Sequence, residues 1–276
     1  MKARVYTNSW PIRGSFTISR GSKTQADTVV VQLESEGFVG RGECVPYARY
    51  GESVESVVEE LSALVPKLEA GMSRGALQEA LPSASARNAI DCAMWDLECK
   101  IKGCTIWQLL GIEPQPLETA YTISLASPQV MEKSASDNSF RPLLKVKLGG
   151  GEDIARLKAV RKGAPESKII IDANEAWTSE LYQQLLPELV ELDIAMIEQP
   201  FPSDNDEALS FLPRPIPICA DESCHDRETL SGLVDRYDMI NIKIDKTGGL
   251  TEGLLLKEQA EKSGLKVIVG CIFHPL

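Results

Sequence analysis

Residues 168–177 read KIIIDANEAW, and residues 194–200 read IAMIEQP. Each is a short apolar run that closes on one carboxylate, Asp172 in the first and Glu198 in the second. A run this short and this apolar suits a strand buried on both faces, as in a parallel sheet. Outward in both directions the same phrase returns. Apolar runs occupy 119–125, 143–148, 168–173, 194–198, 216–221, 239–243 and 266–271, each followed by a helix-like stretch. The middle five end near Lys147, Asp172, Glu198, Asp221 and Lys243, at steps of 25, 26, 23 and 22 residues. A βα unit repeating at that length predicts an α/β fold, either a parallel barrel or a doubly wound sheet.

Before residue 115 the pattern differs. Residues 28–34 and 37–43 predict a hairpin about Glu36-Gly37, with β-branched residues on both sides. Ser53 is placed to cap a helix over 54–64, with Pro66 as a stop. Residues 86–101 predict a second helix, with Ala89, Ile90, Ala93, Met94 and Leu97 at helical spacing and Gly103 to end it. Strands followed by helices predict an α+β unit over 1–115, ahead of the repeating unit over 116–276.

Composition narrows the function. The 276 residues are 43% apolar and 25% charged, enough for a sizeable core. A net charge of −11 and the lack of a basic stripe argue against nucleic acid as a partner. No apolar run approaches the roughly 20 residues that cross a bilayer, and residues 1–8 carry no apolar targeting segment, so a cytoplasmic location is expected. The seven cysteines form no CxxC pair and are expected to be reduced thiols. Two histidines, His225 and His274, argue against a His-rich zinc site and a Ser-His-Asp triad. There is no GxxxxGK[ST] phosphate loop.

Charged strand ends in step are the chemical signal. In a (β/α)₈ barrel the C-terminal strand ends build the active site. Asp172, Glu198 and Asp221 offer three hard oxygen ligands from three successive strands, which suits Mg²⁺. Lys147 and Lys243 lie one strand to either side. Two lysines and a divalent ion suit removal of a proton next to a carboxylate, through an ene-diolate. Lys145 and Lys147 share a strand face, so each disfavours the other's charge and lowers a pKa toward that of a useful base. By the same parity Asn241, Lys243 and Asp245 share a face and Lys246 does not.

The strings LLKVKLGG (143–150), IIIDANEAW (169–177), MIEQP (196–200), ICADESCH (218–225) and NIKIDKTGGLTE (241–252) resemble those of the muconate-lactonising subgroup of the enolase superfamily. So do FTISRGS (16–22), GRGECVPYARYGES (40–53) and ARNAIDCAMWDLECKIKG (86–103). Within the subgroup they are most similar to the L-Ala-D/L-Glu epimerases. The resemblance implies a TIM-type (β/α) barrel under an N-terminal α+β capping domain. It implies that Asp172, Glu198 and Asp221 hold Mg²⁺, that Lys147 and Lys243 act as opposed acid and base in a 1,1-proton transfer, and that Lys145 tunes Lys147. Asn174 and Glu222 would line the site, and Asp245 with Arg20 would complete the substrate contacts. Arg20, in a loop of the capping domain, would pair with the side-chain carboxylate of a glutamyl dipeptide.

The likeness departs from the family after Val269-Gly270-Cys271, where Ile272-Phe273-His274-Pro275-Leu276 stands in place of an eighth strand and its Asp-x-Asp motif. An incomplete barrel with open edges is therefore expected, and homo-oligomerisation across those edges with it. Three readings stay open: a dipeptide epimerase, an impaired remnant of one that keeps its metal site, and a related reaction such as cycloisomerisation, o-succinylbenzoate synthesis or N-acylamino acid racemisation.

Overall fold

The structure, a computed structural model, describes residues 1–18 and 20–271, with the backbone alone at 13–16. The chain opens with an antiparallel sheet of β1 (Lys2–Ile18), β2 (Gly21–Ser35) and β3 (Phe38–Cys44). Four helices follow: α1 (Val54–Glu69), α2 (Arg74–Ala80), α3 (Ser85–Lys102) and α4 (Ile106–Leu110). The expected hairpin is the β2–β3 pair. Its turn places Glu36 at φ 54° and Gly37 at φ 80°, the two positive values that a tight two-residue hairpin turn requires. β1 was not expected: its exposed residues hide the alternation that marks a half-buried strand. α1 also runs past Pro66 to Glu69, against the expected stop. The buried series Val57, Leu61, Leu64 and Leu68 continues through the proline, and burying Leu68 outweighs the lost backbone hydrogen bond.

The second part is one parallel sheet in the order β10-β9-β8-β7-β6-β5-β4. Its elements in chain order are β4 (Tyr121–Ile123), α5 (Pro128–Asp137), β5 (Leu143–Lys147), α6 (Asp153–Gly163), β6 (Lys168–Asp172), α7 (Ser179–Glu191), β7 (Ile194–Glu198), β8 (Ile218–Ala220), α8 (Arg227–Leu230), β9 (Met239–Ile242), α9 (Ile244–Thr247), α10 (Leu250–Lys262) and β10 (Lys266–Val269). All seven expected strands are present. Among the described residues the sheet does not close, and β4 and β10 are its edges, as expected of an incomplete barrel. The divergent residues 272–276 lie outside the described ones. Among the described residues no helix is long and apolar enough to cross a membrane.

Strand parity sorts the side chains. Leu144, Val146, Ile169, Ile171, Ile197, Ile240 and Ile242 join the core packed beneath the helices. Their neighbours Lys145, Lys147, Asp172, Glu198 and Asn241 must then point to the other, inner face. The amino-terminal unit has its own core, with Val29, Val31 and Leu33 of β2 packed on Ala89, Ile90 and Ala93 of α3.

The two units meet along α3. Arg87 donates to the carbonyls of Thr247 (2.9 Å) and Gly248 (3.1 Å), and Asn88 donates to Asp245 (2.8 Å). Asp91 accepts from the backbone N–H (2.9 Å) and hydroxyl (2.6 Å) of Thr251. α3 can lie this low on β3 because Gly40 and Gly42 have no side chains: a Cβ on Gly42 would sit 2.1 Å from the Ala89 carbonyl oxygen. Since two backbones would have to part, Gly42→Ala is expected to cost about 2–3 kcal/mol or more, read as a lower denaturation midpoint than that of the wild type.

Candidate active site

The five charged strand ends converge. β5, β6 and β7 are paired in register, so that Lys147 stands beside Asp172 and Asp172 beside Glu198. Asp221 follows β8, and Lys243 follows β9. In the sheet the three carboxylates occupy the middle strands and the two lysines the flanking ones. Asp172 and Glu198 are fully buried and Asp221 is 1% exposed. One oxygen from each lies within 4.8 Å of the others.

Three carboxylates that close cannot stay ionised in a dry interior without compensation. Lysines supply it. Lys145 Nζ lies 3.0 Å from Asp172 Oδ2 and 2.5 Å from Glu198 Oε2. Lys147 Nζ lies 2.6 Å from Asp172 Oδ2, and Lys243 Nζ 2.5 Å from Asp221 Oδ2. Burial pushes the Lys147 ammonium below its ordinary range; Asp172 opposes this, and the Lys145 charge adds to it. Burial also disfavours the charges of Lys145 and Lys243, but their carboxylate neighbours, Asp172 for one and Asp221 for the other, outweigh it and raise both. The Asp172 and Asp221 carboxyls are lowered: burial opposes ionisation, and the lysines overcome it. Glu198 is raised, by burial first and then by Asp172.

The donor set fits a hard divalent cation, with three carboxylates and neither imidazole nor thiolate among them. Glu198 Oε2 adds to the fit. It is buried and accepts no hydrogen bond among the described residues, although the Lys145 ammonium lies 2.5 Å away.

Arg20 reaches the same place from the amino-terminal unit. Its guanidinium donates to Glu222 Oε1 (2.6 Å), Glu175 Oε2 (3.0 Å), the Asn174 carbonyl (3.0 Å) and the Tyr47 hydroxyl (3.2 Å). Asn174 also donates its backbone N–H to Asp172 Oδ1 at 2.9 Å. Asn174 and Glu175 follow β6 with φ of 47° and 67°, a strained path for residues other than glycine. Glu222 is buried, and burial, followed by the charges of Asp221 and Asp172, pushes its carboxyl up to about 7.

The parity reading of residues 243–246 is corrected. The strand ends at Ile242 and the chain turns helical in α9, so residues three apart share a face. Lys246 is therefore in the cluster, with Nζ 2.7 Å from Asp221 Oδ1 and bonded to the Asp221 carbonyl. Asp245 faces away, accepting from Val45 N–H (3.1 Å) and Asn88 at the seam between the units. A pair of glycines after a lysine, Gly248-Gly249, was the available signal that strand parity would fail here. Three further residues were given no part. Asn241 donates to Glu198 Oε1 at 2.9 Å. Gln199 Oε1 accepts from the backbone of Asp221 (2.9 Å) and Ser223 (3.1 Å). Arg49 grips Glu175 through two bonds of 2.9 and 2.8 Å.

Known proteins are similar to this chain in sequence and in fold. Residues 1–111 match the mandelate racemase / muconate lactonizing enzyme N-terminal domain, and residues 131–276 match the enolase C-terminal domain-like family. The chain is 45% identical to the L-Ala-D/L-Glu epimerase of Escherichia coli (strain K12), over 98% of this chain and 85% of that one. Its fold is similar to that of an enolase family member from Agrobacterium tumefaciens, solved with bound sodium and L-Ala-L-Glu. The TM-score there is 0.95 with 50% identity, covering 98% of this chain and 83% of that one. It is also similar to a dipeptide epimerase from Enterococcus faecalis V583 complexed with Mg and L-Leu-L-Tyr, with a TM-score of 0.91 and 30% identity over 98% of this chain and 82% of that one. By sequence and by fold, the chain belongs to the mandelate racemase / muconate lactonizing enzyme family of the enolase superfamily.

Proposed function

We propose that this chain is a Mg²⁺-dependent epimerase of dipeptides of the L-Ala-D/L-Glu type, inverting the α-carbon of the second residue by a two-base proton transfer. The observation that carries the reading is the row Lys147, Asp172, Glu198, Asp221, Lys243 across five adjacent strands, with an ammonium group at each end. Inversion at one carbon needs a proton removed from one face and another delivered to the opposite face. A lysine on either side of a bound substrate has that geometry, and a lone base does not.

Asp172, Glu198 and Asp221 would hold the cation. When bound, Mg²⁺ supplies a positive charge to take up the negative charge that builds on the substrate carboxylate as the α-C–H bond breaks. Lys147 and Lys243 exchange roles with the direction of reaction: the neutral one takes the α-proton and the charged one returns a proton from the other side. Lys145, between Asp172 and Glu198, keeps a second positive charge beside Lys147 and so favours its neutral, basic form. Burial of these groups keeps water from competing for the proton.

Arg20 would set the substrate class. Its planar fork already binds two carboxylates, those of Glu175 and Glu222, and suits the side-chain carboxylate of a glutamyl residue. Asn174 and Glu222 would line that end of the site. The contacts of Asp245 put it at the seam, so it is given no substrate contact. The bound L-Ala-L-Glu of the Agrobacterium protein, and the name of the Escherichia coli one, favour dipeptides over the cycloisomerase, synthase and racemase reactions.

Proton NMR in D₂O tests the reading. With the chain and Mg²⁺, either L-Ala-D-Glu or L-Ala-L-Glu should lose its Glu α-proton signal while the other epimer appears; no exchange with either, from protein that binds Mg²⁺, overturns it. Lys147→Ala and Lys243→Ala should each slow epimerisation by about 10²- to 10⁴-fold or more. Each should still wash deuterium into one epimer only, and the two variants should favour opposite epimers. Full activity in either would refute the two-base assignment. Glu198→Gln should weaken Mg²⁺ binding in calorimetry, and unchanged binding would remove Glu198 from the ligand set.

A further inference from the structure

Each carboxylate of the cluster is held in the same way. One of its oxygens takes a fixed donor, and the other faces the lysines. Asp172 Oδ1 accepts the Asn174 N–H at 2.9 Å, while Oδ2 faces Lys145 and Lys147. Glu198 Oε1 accepts the Asn241 amide at 2.9 Å, while Oε2 faces Lys145. For Asp221 the fixed donor is a lysine. Lys246 Nζ meets Oδ1 at 2.7 Å and also bonds the Asp221 carbonyl oxygen, while Oδ2 meets Lys243 at 2.5 Å. We propose that Lys246 is a positioning residue: it clamps Asp221 by one carboxylate oxygen and its own backbone carbonyl, so that the other oxygen is presented to the cation and Lys243 is left for proton transfer.

The geometry separates Lys246 from the proton-carrying lysines. Its side chain has no exposure at all, against 8% for Lys147 and 12% for Lys243. It comes from inside α9 and not from a strand end, and it contacts the backbone as well as the side chain of Asp221. Gln199 Oε1 holds the other end of the same residue by accepting the Asp221 N–H at 2.9 Å. N–H, carbonyl and Oδ1 are thus all fixed from neighbouring elements, and Oδ2 is the remaining polar atom of the residue. A cation that displaces Lys243 from Oδ2 then finds the oxygen already aimed, and Asp221 keeps one positive partner.

The inference rests on the metal site of the proposed function, and a test can tell the two apart because the alternatives have opposite signs. A lysine that acts only through its charge repels a cation, and its removal should tighten Mg²⁺ binding. A clamp should do the reverse. Calorimetric titration of Mg²⁺ into wild type, Lys246→Met and Lys246→Gln decides, with near-UV circular dichroism to establish that each is folded. The expected order is wild type, then Lys246→Gln with a loss of a few fold, since its amide can still donate, then Lys246→Met with a loss of about tenfold or more. Binding in folded Lys246→Met that equals or exceeds that of the wild type overturns the proposal. If Lys246→Met does not fold, Lys246→Gln is decisive on the same criterion. If neither folds, the lysine is structural and the proposal fails. A wild type that binds no Mg²⁺ sinks the metal site itself, whereas lost binding in Asp221→Asn with full binding in Lys246→Met sinks the clamp alone.

Discussion

Three carboxylates share a space in which one oxygen from each lies within 4.8 Å of the others, almost wholly out of water. Isolated, such a group would protonate or force the fold open. Four lysines prevent this: Lys145 and Lys147 from β5, Lys243 directly after β9 and Lys246 from α9. The demand for neutralisation explains the most unusual feature of the sheet, a row of strands with an apolar face toward the helices and a charged inner face. Under the proposed function it would also let one site hold a cation and move protons. The positive charges that stabilise the resting cluster become available once a divalent ion takes over part of the compensation.

The amino-terminal unit belongs to the same electrostatic system. Arg20 and Arg49 converge on Glu175, and Arg20 continues to Glu222, the residue after Asp221. The backbone that presents Glu175 is left-handed at two successive residues, and this strain is held by the two arginines, the Ser203 N–H at 2.9 Å and the bond from Glu175 N–H to the Gln199 carbonyl. The Arg20 contacts across the two units and the shape of the loop after β6 are thus one structural problem.

Much of this was legible in the sequence, for a physical reason. A strand buried on one face and charged on the other prints both facts at a period of two, and a repeating βα unit brings its strand ends to one level. Lys147, Asp172, Glu198, Asp221 and Lys243 could be read together on those grounds. The same rule failed where its premise failed. At Ile242 the backbone leaves the strand, and parity misassigned Lys246 and Asp245 to each other's places. β1 carries no such signal because its exposed residues lack the alternation, and in α1 a continuing apolar series prevails over the single breaker Pro66. Gln199, Asn241 and Arg49 act through partners far away in sequence, which no local pattern encodes.

α9 is four residues long, yet it answers to both units. Its cap residue Lys243 and its third residue Lys246 reach Asp221, while Asp245 and the Thr247 carbonyl are grasped by Asn88 and Arg87 of α3. A shift of α3 is therefore a shift of two lysines. The two units are not interchangeable parts: a chimera that takes its first hundred residues from a relative inherits the registration of Lys243 and Lys246 from that relative's α3. A transplanted first unit would then arrive with Lys243 and Lys246 displaced from Asp221 unless the Asn88 and Arg87 contacts travelled with it.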